Sequence, residues 1–404
     1  MTITDMHPAA ATRSPAFDPR DAAFLADPYP LYARLRATDP LHRAASGDLW
    51  LTRYADVEAA LTDRRLGKSA PAYRARPKAL AGEAVPPSML FQNPPDHTRL
   101  RALVLRAFTP RMIERLRPRI AAIAGELLDR VGQRRAFDLV DDYAFPLPAI
   151  VIAELLGVPA ADRDRFHGWT SAVAAAVDST ATVEERAHGA QAREEMADYF
   201  ADLVAVRTKR PESDLLSELV AVHEAGDRLS FGELLSMCAL LLAAGHETTV
   251  NLIANGVLAL VRQPDQLLLL RQQPALLPRA VEELLRFEAP VQLTDRVALE
   301  DLELGGTPMR QGERVIVSIG AANRDPAVFD RPEHLDITRE PNPHLSFGHG
   351  IHFCLGASLA RLEGQLAVAT LLERFPALEV ADAPLRGTNP MFRTLRRAPL
   401  RING

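Results

Sequence analysis

SFGELLSMCALLLAAGHETTVNLIANGVLALVRQP, Ser230–Pro264, is the longest uninterrupted helical pattern in the chain. Ser230 and Glu233 form a capping box, in which each side chain meets the other's free amide. Gln263-Pro264 stops the pattern. The helix so bounded has about 32 residues and spans roughly 48 Å. Its apolar residues cover most of the circumference, the mark of a helix buried inside a large protein. It is also the nearest approach to a membrane span, but His246, Glu247, Asn251 and Asn255 lie within it, and charge at mid-span is expensive in lipid. No stretch of about 18 residues lacks polar interruption, so no membrane span is expected. At its centre stands Ala244-Gly245-His246-Glu247-Thr248-Thr249. An acid beside an alcohol in a buried helix is costly unless both are hydrogen-bonded. Threonine can return a bond to the carbonyl one turn back and bend the helix. On these residues alone the segment is either a solvated notch or a built site.

Outward from this helix the chain continues to read as mainly α. Asp27-Pro28-Tyr29-Pro30 opens a short helix that ends near Thr38-Asp39-Pro40, and helical periodicity covers His97–Ala107, Arg111–Gln133, Pro148–Leu156, Asp162–Asp178, Val183–Lys209, Asp265–Gln273, Pro278–Phe287 and Leu355–Arg374. Ala44–Tyr54 reads as a hairpin, and Val297–Ile319 as strands with turns at Gly305-Gly306 and Gln311-Gly312. Gly67–Pro95 has six prolines and reads as a long irregular loop of the kind that carries function. No repeat or linker divides the 404 residues, and the long helix ties both halves together. A single domain, 1–404, with small β-sheets and a flexible N-terminal segment over 1–20, is expected.

Composition narrows the class. Apolar residues make up 47% and charged residues 25%, as in globular proteins. A net charge of −5 argues against a general nucleic-acid binder. Met1–Arg20 lacks the basic and apolar regions of a signal peptide, and the chain has only Cys238 and Cys354, so a cytoplasmic location is expected.

Cys354 lies in Phe347-Gly-His-Gly-Ile-His-Phe-Cys354-Leu-Gly356, at the start of an apolar helix. A helix N-terminus stabilises a thiolate, and glycines let backbone approach a bulky planar group. Alone, such a cysteine is either a reactive thiolate or a buried structural residue.

The combined segments resemble the cytochrome P450 family, specifically its soluble bacterial members, over nearly the whole chain. The family's haem-ligand loop, Phe-x-x-Gly-x-x-x-Cys-x-Gly, is matched by Phe347, Gly350, Cys354 and Gly356. The resemblance implies that Cys354 is the proximal iron ligand of one haem b, with Phe347 shielding the thiolate, and that the haem lies between the long helix and the Cys-loop helix. It implies that Glu247 relays protons, that Thr248 hydrogen-bonds the oxygen being activated, and that Ala244 and Gly245 open the helix for O2. His97, Arg101, Arg296 and His352 are implied to meet the two haem propionates; singly, each reads more readily as a surface charge than as a ligand. Glu283 and Arg286, on one helix face by spacing, resemble the family's buried structural pair. The family's third partner, an arginine in a later loop, is replaced by His334, with Arg331 a nearby misaligned candidate.

By the same resemblance the substrate pocket is lined by Met89, Leu90 and Phe91, Ala172–Val177, Leu240 and Leu241, Leu293 and Thr294 within Val291–Thr294, and Met391 and Phe392. The lining is mainly apolar, so a largely apolar small molecule is expected. Arg64, Arg65, Lys68, Arg74, Arg76 and Lys78 either anchor an anionic group or are solvated. His97–Arg119 holds seven arginines, at 99, 101, 106, 111, 115, 117 and 119, against Glu114. That excess suits an acidic partner. In the family this helix borders the face where a ferredoxin, served by a ferredoxin reductase, delivers electrons. The implied activity is mono-oxygenation: O2 is activated to hydroxylate or epoxidise the substrate. Peroxide-driven oxidation, desaturation or oxidative coupling on the same scaffold is the alternative, as is a non-catalytic haem-binding protein. The intact Glu247-Thr248 pair weighs against a peroxide-only enzyme and against a non-catalytic one.

Overall fold

The long helix runs from Phe231 to Val261 and begins with the expected capping box: Glu233 N donates to Ser230 Oγ at 3.2 Å and Ser230 N donates to Glu233 Oε2 at 3.0 Å. The computed structural model describes residues 18–68, 79–80, 83–84, 86–132, 134–176, 181–224 and 229–403. Residues 1–17 of the N-terminal segment, Arg74, Arg76 and Lys78 of the basic loop, Gln133, and Val177 of the pocket lie outside the described residues. The long helix is apolar and long enough to cross a membrane, but most of it is buried inside the protein. Helices Pro146–Leu155, Arg163–Ala176, Val183–Lys209, Leu277–Phe287 and Ala357–Arg374 pack around it. A Cβ on Gly256 would stand 2.9 Å from Leu284 Cδ1, so helix Leu277–Phe287 crosses at a distance that glycine permits.

Beside this helical body stands a five-stranded sheet. Its strand order is Leu41–Arg43, Leu49–Leu51, Arg314–Ser318, Leu293–Ala298, Leu66–Gly67. Only the pairing of Arg314–Ser318 with Leu49–Leu51 is parallel. One face of the sheet buries Leu49, Leu51, Val315 and Val317 in a core of its own. The other buries Trp50, Leu293 and Ile316 against Phe24, Tyr29 and Tyr32 of the N-terminal helices. This alternation is the period-two consequence of the pleat. A smaller sheet joins Leu378–Val380, Pro399–Ile402 and Ala136–Asp138. Hairpin Leu385–Arg386/Leu395–Arg397 runs near the long helix. The turn at Gly305-Gly306 takes the positive φ that the sequence predicts.

Three local expectations change. The hairpin strands are Leu41–Arg43 and Leu49–Leu51, and Tyr54–Thr62 is helical. The single helix expected over Arg111–Gln133 is two, Pro110–Arg115 and Arg117–Val131, because Pro118 lacks the N–H that a continuous helix requires there. Helix Leu215–Glu224 adds an element that the sequence reading leaves out.

Candidate active site

The long helix is buried on nearly all sides, yet Ala244 at its centre is exposed and Leu240, Gly245 and Thr248 are partly so. Residues 240, 244 and 248 are spaced i, i+4, i+8 and share one face. An accessible face in the middle of a buried helix borders a cavity. Thr248 Oγ donates to the Ala244 carbonyl at 2.9 Å, and Thr249 Oγ to the Gly245 carbonyl at 3.2 Å, the back-bonds expected of threonine. The Thr394 hydroxyl donates to Glu247 Oε1 at 3.1 Å. His246 points away from this face, its ring contacting the Phe145 carbonyl at 3.3 Å and Thr170 Oγ at 3.4 Å.

The loop before helix Ala357–Arg374 is pinned by Cys354 N donating to the Phe347 carbonyl at 2.8 Å and Gly348 N to the Leu345 carbonyl at 2.8 Å. Gly350 has φ +70°, and a Cβ there would stand 2.8 Å from the Leu61 carbonyl. Glycine is therefore required on both counts. Nothing lies within 4 Å of where a Cβ on Gly356 would be. The Phe347 ring is buried, with the Arg361 guanidinium 4.4 Å from its centroid and the Phe353 ring 6.3 Å away. Cys354 is exposed by accessible surface but enclosed by protein on most sides, as a residue facing an internal cavity must be. That enclosure pushes its thiol up, opposed by the Gly356 amide and the charges of Arg101 and Arg361. Cys238 is a different case: it is fully buried in the long helix and its thiol is pushed up to about 12 by burial.

Arg101 links the thiol to a basin of cationic groups. His97 and His352 have ring centroids 4.2 Å apart, and His97 Nδ1 and His352 Nε2 have no hydrogen-bond partner. Burial, then repulsion from His97, Arg296, Lys68 and Arg101, drives His352 down to about 3. Burial, then Arg101, also lowers His97. Arg296 is 3% exposed, and burial lowers it to about 10 against the attraction of Asp295. Its Nη1 donates to the Asp295 carbonyl at 2.8 Å. Lys68 Nζ reaches Asp295 Oδ1 at 3.1 Å and donates to Thr294 Oγ at 2.8 Å. Among the described residues, one carboxylate, Asp295, serves the whole group. Burial disfavours the charge of every member, and neighbouring cations add to this at His352, His97 and Lys68, so the basin suits anions that arrive from elsewhere. Lys68 is thus turned inward, and Arg65 is tied to Asp63, so neither is a free anchor on the basic loop.

The expected lining separates into two sets. Leu240, Leu90, Phe91, Thr294, Met391 and Phe392 are partly accessible, and Phe392 bridges to Val291. Met89 and Leu241 are buried in the main core, Ala172 and Val173 likewise. Leu293 departs from expectation: strand alternation turns it away from Thr294 into the core with Phe24, Tyr29 and Tyr32. Glu283 and Arg286 are fully buried and joined by two bonds of 2.7 and 2.8 Å. Their third partner is Arg339, whose Nε lies 3.2 and 3.1 Å from the two Glu283 oxygens. His334 contributes only its carbonyl, to Arg286 Nη2 at 3.0 Å, and Arg331 pairs with Asp330 at the surface. Arg339, Arg361 and Thr394 were missed because nothing in their local sequence marks them; each acts through a contact distant along the chain.

A family model described as Cytochrome P450 matches residues 179–397. Cytochrome P450 107B1 of Saccharopolyspora erythraea is 48% identical over 94% of this chain and 96% of its own. Vitamin D(3) 25-hydroxylase of Pseudonocardia autotrophica is 46% identical, covering 93% and 94%. The crystal structure of P450BioI, in complex with an acyl carrier protein ligated to hexadec-9Z-enoic acid, superposes with a TM-score of 0.88 at 42% identity, over 94% of this chain and 99% of that one. Helices and small sheets therefore form one single-domain fold, shared along almost its whole length with these bacterial cytochromes P450. The chain belongs to the cytochrome P450 family.

Proposed function

We propose that haem b binds between residues 240–248 of the long helix and the Cys354 loop, where the Cys354 sulfur would hold its iron. The observation that carries this reading is the convergence, around one accessible thiol, of His97, Arg101, Arg296, His352 and Lys68 with a single carboxylate among them. Two propionates fit that basin: among the described residues His97 Nδ1 and His352 Nε2 have no hydrogen-bond partner, and no carboxylate is bonded to the fork of buried Arg296. The Cys354 sulfur, whose proton is favoured by burial, would bind the iron as a thiolate. Gly350 and Gly356 keep the loop backbone clear for a planar group. When bound, haem supplies the redox centre at which O2 is reduced and one oxygen atom passes to the substrate. The other oxygen leaves as water, which takes up two electrons and two protons.

The chain's own residues supply position and protons. Phe347, held under Arg361, keeps water from the sulfur. Leu240, Leu90, Phe91, Met391 and Phe392 offer an apolar lining, which suits hydroxylation or epoxidation of a largely apolar small molecule such as a secondary metabolite or lipid. Thr248, bonded to the Ala244 carbonyl, can redirect its hydroxyl into the cavity, and Glu247 in the next position can recharge it. Electrons are supplied by a separate ferredoxin and its reductase in the cytoplasm. Exposed Arg106, Arg111 and Arg115 form the facing surface. The test is coupling. Thr248→Ala should retain haem and bind substrate within about twofold of the parent but divert most electrons to peroxide. Glu247→Gln should slow product formation by about tenfold or more. Full coupling in Thr248→Ala would remove Thr248 from this role.

A further inference from the structure

We propose that Thr394 is the positioning residue through which protons reach Glu247, drawn from a one-water cavity beside the hairpin Leu385–Arg386/Leu395–Arg397. The inference rests on the assignment of Glu247 as proton donor above. Glu247, Asn251 and Asn255 are spaced i, i+4, i+8 and share one face of the long helix. At one end of this row the Thr394 hydroxyl donates to Glu247 Oε1 at 3.1 Å. At the other, Asn255 Nδ2 donates to the Arg393 carbonyl at 2.6 Å, and Asn255 Oδ1 accepts from Arg386. Adjacent residues 393 and 394 thus lie along the row, with Asn251 between the two contacts. Asn251 is fully buried, and neither its Nδ2 nor its Oδ1 has a partner. A buried amide with both groups unmet calls for internal water.

Thr394 also lines a cavity of about 10 Å³, together with Arg393, Asn389, Gly387, Gln292 and Phe24 among others. That is room for one water. Gln292 is buried as well, and its Oε1 is unpartnered. Gly387 and Asn389 are partly exposed, so the cavity lies at the edge of the protein. A residue whose hydroxyl bonds a carboxylate and which also lines a water site can serve as a relay. Thr394 passes its hydroxyl proton to Glu247 as it takes one from the cavity water, and that water regains a proton from bulk solvent. The net change is one proton moved to the Glu247 carboxylate, with Thr394 restored and no electron transferred.

Thr394→Val keeps the shape and removes the hydroxyl. In the holoenzyme with its electron donors, product formed per electron pair should fall about tenfold, and the solvent deuterium isotope effect on turnover should at least double. Thr394→Ser should return both to within about twofold of the parent. Haem content and substrate affinity should be unchanged in both. In the resting protein the carboxylate infrared band that Glu247→Gln abolishes should shift in Thr394→Val, because the hydroxyl donor to it is gone. A shifted band with parental coupling and isotope effect would overturn the relay and leave Thr394 with a structural contact only. Parental coupling in Glu247→Gln would overturn the prior assignment of Glu247 itself, a result independent of Thr394.

Discussion

Arg286 and Glu283 have no exposed side-chain surface, and a buried ion pair persists only where its remaining donors and acceptors are met. Here Arg286 also serves the carbonyls of Asn323, Pro332 and His334, while Glu283 takes the Asp336 amide, Arg339 and Asn342 Nδ2. Arg339→Met should therefore destabilise the protein by about 2 kcal/mol, since it strips one charged donor from a buried carboxylate that keeps the others. Arg331→Ala, at the surface, should change stability by less than about 0.5 kcal/mol. Chemical denaturation of the two variants checks this; equal losses would reverse the assignment of the third partner. Which residues were legible follows from distance along the chain. Cys354, Phe347, Gly350, Glu247 and Thr248 sit in short segments whose spacing carries their chemistry. Arg339 meets Glu283 across 56 positions, Thr394 meets Glu247 across 147, and Lys68 meets Asp295 across 227. Spacing within a segment gives no sign of those contacts.

Among elements, the long helix was readable because both of its ends are local: a capping box at Ser230 and a proline at 264. Helix Tyr54–Thr62 was not, because the amide of Tyr54 is capped by Asp325 Oδ2, 271 positions away, at 2.8 Å. The basic stretch His97–Arg119 shows the same division. Its arginine excess is visible in the sequence, but its free charge is smaller. Arg99 pairs with Glu233, Arg117 with Glu114, and Arg119 with Glu126 and Glu154. Arg111 and Arg115 are exposed without an acidic partner among the described residues. Arg111→Glu and Arg115→Glu should therefore slow first electron transfer from an acidic ferredoxin, with parental haem content and substrate affinity. The parental rate should fall as salt rises, since the Debye length is about 10 Å at 0.1 M. Arg101→Ala, one turn into the cationic basin, should instead weaken haem retention. A rate flat in salt and unchanged by both reversals would remove this surface as the docking face.

At the scale of the whole molecule, the proposed haem site joins two segments more than a hundred positions apart, Ala244–Thr249 and the Cys354 loop. Ala244 is exposed within a buried helix, and Cys354 is exposed though enclosed by protein. On the proposed function a planar group lies between them, and the cationic basin supplies the counter-charge to its carboxylates. The account therefore stands or falls on Cys354. The measurement is the absorption spectrum of the reduced, carbon-monoxide-treated protein, for the parent, Cys354→Ser and Cys238→Ser, with circular dichroism to verify folding. The account predicts the red-shifted Soret band of thiolate ligation in the parent and in Cys238→Ser, and its loss in folded Cys354→Ser. A thiolate-type band that survives in Cys354→Ser would contradict it.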